Sequence, residues 1–419
     1  MVKAIAIDLQ TLLIEIENVK IRSKEPYWLL KNGIINSYPS LRKNIECDIL
    51  IVGGGITGAL AAYQLSSEGY RTVVIDKRDI GTGSTSATTS MIQYELDSPL
   101  YSMSETMGKE SAGDIYKEAA NAVRKLKKIV ENLPGDCGFN PKQSLHFASN
   151  GRDVAGLKKE FECRRVVGLD VKWLAKEEIF LRYGLASEGG ILSETAASMD
   201  AYQMTHALFQ FSADHFGLKV YDHTRLESVK YAKNKNFATV DTRAVIECNT
   251  IIYATGYESH ELIRNGIGKL ISTYACVSEP YDNLPELLSQ TVFWNTEDPY
   301  FYFRTTMDNR ILIGGEDEYF KNPERRDLLI EKKELDLVAK FQQQMAGIPF
   351  VADFTWAGTF GATKDALPYI GAHPDFRNTY FMLGFGGNGI TFSLMGMEIL
   401  SDVVAGRPNR YLEYFKFKR

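Results

Sequence analysis

Residues 48–53, DILIVG, form a short, continuously apolar run ending in glycine, the pattern of a strand buried on both faces of a parallel sheet. Ala59, Ala62, Tyr63 and Leu65 follow at helical spacing up to Gly69, and a second apolar run, TVVID, closes at Asp76. Strand, glycine turn, helix and strand within about 30 residues make one βαβ unit. The small, polar stretch GTGSTSATTSM (81–91) reads as a loop. Ile115, Ala119, Val123, Leu126, Val130 and Leu133 predict a helix over 110–133, stopped by Pro134 and Gly135. A mixed region, 140–192, carries a helical pattern across 153–167, and residues 200–216 read as a helix. Strand-like LKVYDHTRLESVKY and FATVDTRAVIE lead to NTIIYATGY (249–257), a buried strand ending in glycine. From 270 to 320 the texture is β-rich, and a helix is expected over 323–345. The chain closes with turn-rich ATKDALPYIGAHP, strand TYFMLG, the glycine cluster FGGNGI and a helix running to about 405.

These pieces do not divide into two clean halves. The fold class they predict is α/β: a Rossmann-like parallel-sheet domain with a GxGxxG turn, interrupted by an antiparallel-sheet α+β domain. The nucleotide lobe takes 45–95, 195–262 and 350–410, and the inserted lobe takes 96–194 and 263–349. Residues 1–44 form either an arm packed on the body or an extended start, and 411–419 a C-terminal tail. A chain of 419 residues is longer than one ordinary core, which agrees with two lobes.

Composition narrows the partners. A net charge of −5 argues against a nucleic-acid partner, which would need a basic face. The five cysteines, odd in number and without a CxxC, fit reduced thiols, and six scattered histidines give no metal-ligand spacing, so no metal site is expected. No apolar run reaches the roughly 20 residues that would cross a bilayer. Asp8, Glu15 and Glu17 disqualify the N-terminus as a secretory signal, so a cytoplasmic protein is expected.

The strongest chemical signal is IVGGGITGALAAYQLSSEGYRTVVID. Gly53, Gly55 and Gly58 have the GxGxxG spacing, with Ile56 and Thr57 between the last two. Gly53 permits the tight turn, Gly55 lets backbone approach a pyrophosphate at a helix N-terminus, and Gly58 lets helix and strand pack. Asp76 ends the second strand, where a carboxylate accepts hydrogen bonds from a ribose diol. NAD and FAD both present this half. Two distant segments favour FAD: Thr255 and Gly256 end a late strand, and Gly386–Thr391 (Gly386, Gly387, Asn388, Gly389, Ile390, Thr391) precede or open the last helix. That helix N-terminus either stabilises an anionic reduced flavin through its dipole or is an ordinary helix start after a tight turn.

These segments resemble the glycine oxidase, D-amino acid oxidase and sarcosine oxidase superfamily of FAD enzymes over most of residues 46–410. VGGGITGALAAYQL with VVID, closing on Asp76 and Lys77, is similar to its FAD fingerprint. GTGSTSATTSM, with Ser84 and Thr85, is similar to its flavin-contacting loop. VYDHTRLESV resembles the segment whose apolar residue, here Leu226, covers the adenine side. RILIGGED resembles a substrate-domain strand, and WAGTFGATKDALPYIGAHP with YFMLGFGGNGITFSLMGMEILSDVVAG resembles the C-terminal signature. The resemblance implies oxidation of a C–N bond of an amine or amino acid by hydride transfer to non-covalent FAD, with oxygen or another acceptor taking the electrons. No cysteine follows Cys276, so a covalent flavin–cysteine link is not expected.

The chain also departs from the family. Phe360 stands where glycine-oxidase-like members carry arginine in WAGxR, Gly387 replaces a second arginine, and Met91 falls near a third. An arginine fork is the natural carboxylate clamp, so its loss shifts the expectation from α-amino acids towards amines. Tyr38-Pro39 and Leu41 resemble a stretch found in members like γ-glutamylputrescine oxidase, and Leu312 falls near an oxygen-promoting lysine of sarcosine oxidases. Tyr300, Tyr302 and Arg304 alternate along YFYFR and share one strand face. They form either an aromatic-walled substrate site with one cation or a half-buried sheet with a salt-bridged arginine. The competing functions are an FAD dehydrogenase of a hydroxy acid or polyol, and a flavin-binding subunit without turnover.

Overall fold

The computed structural model describes residues 22–23, 25–263 and 268–419. Two sheets organise them. The smaller, eight-stranded sheet centres on strand Ile45–Val52, which runs parallel to Thr72–Ile75 on one side and to Val245–Tyr253 on the other. Lys219–Tyr221 and Thr379–Leu383 extend it in parallel on either side, and Tyr369–Ala372 adds an antiparallel edge. Alternation along the central strand decides what covers each face. Ile49 and Ile51 join a core with Leu60 and Leu65 of helix Ile56–Ser67, whereas Leu50 and Val52 join Phe381, Leu383 and Val240 on the opposite face. Each such side chain, fully buried, contributes about 1.5–3 kcal/mol.

Helices Ala201–Phe216 and Gly389–Val404 pack on both sides of Ile56–Ser67, so three distant stretches of chain share one layer. Thr57 Oγ1 and Ser393 Oγ, 2.8 Å apart, tie two of these helices at their N-terminal ends.

The ten-stranded sheet is antiparallel except where Thr291–Asn295 runs parallel to Asn140–Phe147. Helix Ile330–Gln344 covers it through Leu337 and Phe341, packed with Tyr274 and Ile313.

Several expectations change. Strands Met91–Gln93, Gly190–Ser198 and Ala352–Ala362 belong to the ten-stranded sheet, although residues of all three were assigned to the nucleotide lobe. Ala352–Ala362 pairs along its length with Lys269–Ser278 and sends Ala357 into that sheet's core, a partner that chain order does not reveal. The expected 81–91 loop contains a helix, Ser84–Ala87, and the expected helix over 323–345 is two, Pro323–Leu328 and Ile330–Gln344. LKVYDHTRLESVKY breaks at 222–225, where Thr224 N donates to Asp76 O at 2.7 Å.

Within the expected arm, residues 1–21 and 24 lie outside the described residues; parts of the remainder pack on the body. Strand Arg22–Ser23 pairs with Ala357 and Gly358, and helix Tyr27–Asn32 buries Tyr27 and Trp28. The tail also packs: Phe415 is buried and the Phe417 ring stacks on Tyr369. No described helix is long and apolar enough to cross a membrane.

Candidate functional site

A cavity of about 480 Å³ opens where the two sheets meet. One end is built by the glycine turn. Gly53 has φ +115°, and a Cβ there would collide with the carbonyl of Ala254, so the first motif glycine is required by the close approach of the strand Val245–Tyr253. A Cβ on Gly58 would strike Gly53 O, so Gly58 works by packing and does not line the cavity. Thr85 Oγ1 accepts from Ile56 N at 2.9 Å, which fixes the helix Ser84–Ala87 against the turn. Asp76 accepts from Gly54 N at 2.7 Å and Arg78 N at 2.9 Å, and its surroundings raise its pKa through desolvation.

Charge is divided along the cavity. The basic lining residues, Lys77, Arg78 and Arg225, flank Asp76 and Leu226, and Glu258 pairs with Lys77 at 3.1 Å and Arg78 at 2.9 Å. The other end is acidic and aromatic. Glu95, Asp97 and Asp317 line it with Tyr257, Trp294, Tyr300 and Tyr302. Asp97 accepts from Gly387 N at 2.7 Å and donates its own N–H to Asn388 Oδ1 at 3.2 Å, clamping the glycine cluster. Burial raises the Asp97 carboxyl and pushes Asp317 up to about 7. Glu95 lies 3.4 Å from Arg164, which also binds Glu160 at 2.7 Å, forming a fully buried ionic triad behind the wall.

The cavity brings together Gly53, Gly55, Ile56, Thr57, Asp76, Lys77, Ser84, Thr85 and Leu226 with Thr255, Gly256, Gly386, Gly387, Asn388, Gly389 and Ile390. Helix Gly389–Val404 starts at its wall. Thr391, expected beside the cofactor, instead turns inward and donates to Gln93 O at 2.8 Å. Tyr300 and Tyr302 line the acidic end.

Arg304 does not line the cavity. It is 2% exposed and donates to the carbonyls of Thr89 at 2.7 Å, Thr305 at 3.0 Å and Met199 at 3.2 Å, with the Trp28 ring 5.3 Å away. Alternation places it on the face of Tyr302, but two residues further along that face is covered by the 88–90 segment and the N-terminal helix. Its partners are backbone carbonyls rather than a carboxylate. Leu312 is likewise buried, packed with Trp356 and Trp28.

Sequence reasoning missed Asp97 and Asp317. Asp97 has no local motif around it, and only the GED end of RILIGGED marked the neighbourhood of Asp317. Among the described residues, no cysteine or histidine lines the cavity.

The FAD dependent oxidoreductase family matches residues 48–402. Gamma-glutamylputrescine oxidoreductase of Escherichia coli (strain K12) is 23% identical over 392 residues, covering 89% of this chain and 87% of that protein. Glycine oxidase of Geobacillus kaustophilus (strain HTA426) is 23% identical over 373 residues, covering 87% of this chain and 94% of that protein. A crystal structure of glycine oxidase from Geobacillus kaustophilus superposes with a TM-score of 0.71 at 21% identity, over 89% of this chain and 99% of that one. With the glycine turn, Asp76 and the Gly386–Ile390 cluster on one cavity and the family match spanning both sheets, this chain belongs to the FAD dependent oxidoreductase (DAO) family.

Proposed function

We propose that this FAD-dependent oxidoreductase oxidises a C–N bond of an amine, and that its substrate lacks a carboxylate beside the reacting carbon. The single observation that carries the proposal is the charge of the cavity beyond the glycine cluster: carboxylates and aromatic rings line it, and among the described residues the basic lining residues are at the other end. A substrate carboxylate there would meet Asp97 and Asp317 with no counter-ion, and like charges in a partly desolvated site repel strongly. Position 387 sharpens the point. A Cβ on Gly387 would lie 2.5 Å from Tyr300 Oη and 2.8 Å from Asp97 Oδ1, so an arginine fits only if both move. Phe360 lines the same end. The named activities of gamma-glutamylputrescine oxidoreductase and glycine oxidase, among the similar proteins, support C–N chemistry in general.

The residues present fit FAD. Bare backbone at Gly53 and Gly55 suits the pyrophosphate, Asp76 can accept from a ribose, and Leu226 can cover the adenine. The N-terminus of helix Gly389–Val404 meets the cavity with unsatisfied N–H groups. When bound, FAD supplies the hydride acceptor. The protein's part is positioning: the Asp97 clamp fixes Gly387, and the tyrosine wall confines the substrate and excludes water. The FAD-holding lobe is best drawn around the eight-stranded sheet, with the 352–362 strand in the other lobe. The test is anaerobic bleaching of the flavin by a panel of amines, α-amino acids and hydroxy acids. Bleaching by amines that α-amino acids do not match is expected. Fast bleaching by glycine or by a hydroxy acid would overturn the proposal.

A further inference from the structure

The three acidic side chains at the substrate end are not equivalent. Glu95 has a buried Oε2 without a hydrogen-bond partner but is neutralised by Arg164 at 3.4 Å, and Asp97 is held by the N–H of Gly387 at 2.7 Å. Asp317 lines the cavity, and its Oδ1 is buried with no hydrogen-bond partner. The nearby ammonium of Lys333 is bound to Glu316 at 3.1 Å and to Glu318 at 3.0 Å, and Lys340 to Glu316 at 2.6 Å and Glu297 at 3.0 Å. A carboxylate that lines a partly desolvated cavity with no cation paired to it is costly, and an incoming cation relieves that cost.

Beside it stands an aromatic wall. The Tyr300 and Tyr302 rings are 5.7 Å apart, and Trp294 meets Tyr300 edge-on at 6.4 Å. A carboxylate next to aromatic faces is the chemistry of an ammonium site, with ion pairing and cation–π attraction acting together.

We infer that Asp317 is the counter-ion of a protonated amino group on the substrate, and that this group is not the nitrogen being oxidised. This inference rests on the amine-oxidising function proposed above. Removal of hydride from a carbon is assisted by the lone pair of the nitrogen attached to it, and a nitrogen kept protonated by a carboxylate has no lone pair to give. A substrate that satisfies Asp317 while it reacts therefore carries two basic nitrogens. The class is a diamine or polyamine, one end held at Asp317 and the neutral other end presented for oxidation.

Other charges act on the same group. Desolvation, Asp97 and Glu316 raise the Asp317 carboxyl, while the Thr273 hydroxyl and Lys333 lower it, with about 7 as the result; Tyr300 and Tyr302 face it from the neighbouring strand and stay neutral. Affinity for a fixed positive charge should therefore rise several-fold as pH passes upward through about 7.

The experiment compares two probes on the FAD-loaded protein: (4-aminobutyl)trimethylammonium and its carbon isostere 5,5-dimethylhexylamine, which keeps the primary amine and lacks the fixed quaternary charge. Affinity is read by calorimetry, and reduction by anaerobic flavin bleaching, in wild type and in Asp317→Asn. The expected result is tighter binding of the charged probe by about tenfold or more, equivalent to about 1.4 kcal/mol. That preference for the quaternary charge should grow with pH and be lost in Asp317→Asn. Equal binding of the two probes by wild type overturns the inference, as does a preference that survives in Asp317→Asn. Wild type's own pH dependence decides the matter should the variant not fold. If neither probe bleaches the flavin but the Asp317-dependent preference is present, amine oxidation falls and the counter-ion assignment stands. If both probes bleach it alike in wild type and variant, the outcome is the reverse.

Discussion

Three backbone carbonyls, from Thr89, Thr305 and Met199, depend on the guanidinium of Arg304. Arg304→Gln should therefore act on stability, by about 3 kcal/mol for acceptors left unsatisfied in the interior. Chemical denaturation should show the loss. Gly53→Ala should be worse than its size suggests, since φ is +115° and Ala254 O occupies the Cβ position. A loss of more than about 1 kcal/mol, with flavin absorbance missing from the purified protein, is expected. Asp317 makes a third case. In the fold its carboxyl is pushed up to about 7 from 3.8, so the folded state binds the extra proton between these values. Its contribution to stability is full below about pH 4 and is lost as pH rises through about 7. The advantage of Asp317→Asn over wild type in denaturant midpoint should grow across that window in FAD-free protein. Gly53 and Asp76 were legible in the sequence because their neighbours in the chain are also their neighbours in the βαβ unit. Asp97 and Asp317 were not, because Gly387, which holds Asp97, and Asp97, which acts on Asp317, lie far away in sequence.

At the scale of elements, hydrophobic period carried most of the weight. The apolar runs at 48–53, 249–253 and 379–383 became adjacent parallel strands, and the 110–133 pattern became helix Lys109–Glu131. Period could not say which sheet a strand would join, which is why Ala352–Ala362 was misplaced. It was also silent about the segment before the first βαβ strand. Helix Tyr27–Asn32 is short, but Trp28 is 2% exposed and its Nε1 donates to Thr88 O at 2.7 Å. Thr88 and Thr89 line the cavity, so this helix and Arg304 brace one wall from behind. Trp28→Ala should cost about 3–5 kcal/mol, as for other large aromatic truncations in a core, and should weaken flavin retention. Thermal denaturation with and without added FAD would measure both effects.

For the molecule as a whole, composition, motif order and family resemblance pointed to an α/β fold of the FAD dependent oxidoreductase family, and two sheets with a cavity lined from both are present. The boundaries were not legible, because the chain crosses between sheets repeatedly. Thiol reactivity reports on that whole. Cys47, Cys137, Cys248 and Cys276 are buried, and Cys163 is partly exposed. Under native conditions a thiol reagent should label Cys163 first, with the other four reacting only on unfolding. Rapid labelling of more than one site would mean a looser assembly than the packing implies. The parallel neighbour of Val245–Tyr253 in the cofactor sheet is Thr379–Leu383, and the helix after it, Gly389–Val404, rests against helix Ile56–Ser67. During synthesis on the ribosome the glycine turn emerges early, yet half of its cavity exists only after residues near 404 have left the exit tunnel. Flavin capture must therefore wait for that helix. A nascent chain arrested before residue 379 should hold no flavin, however long it waits.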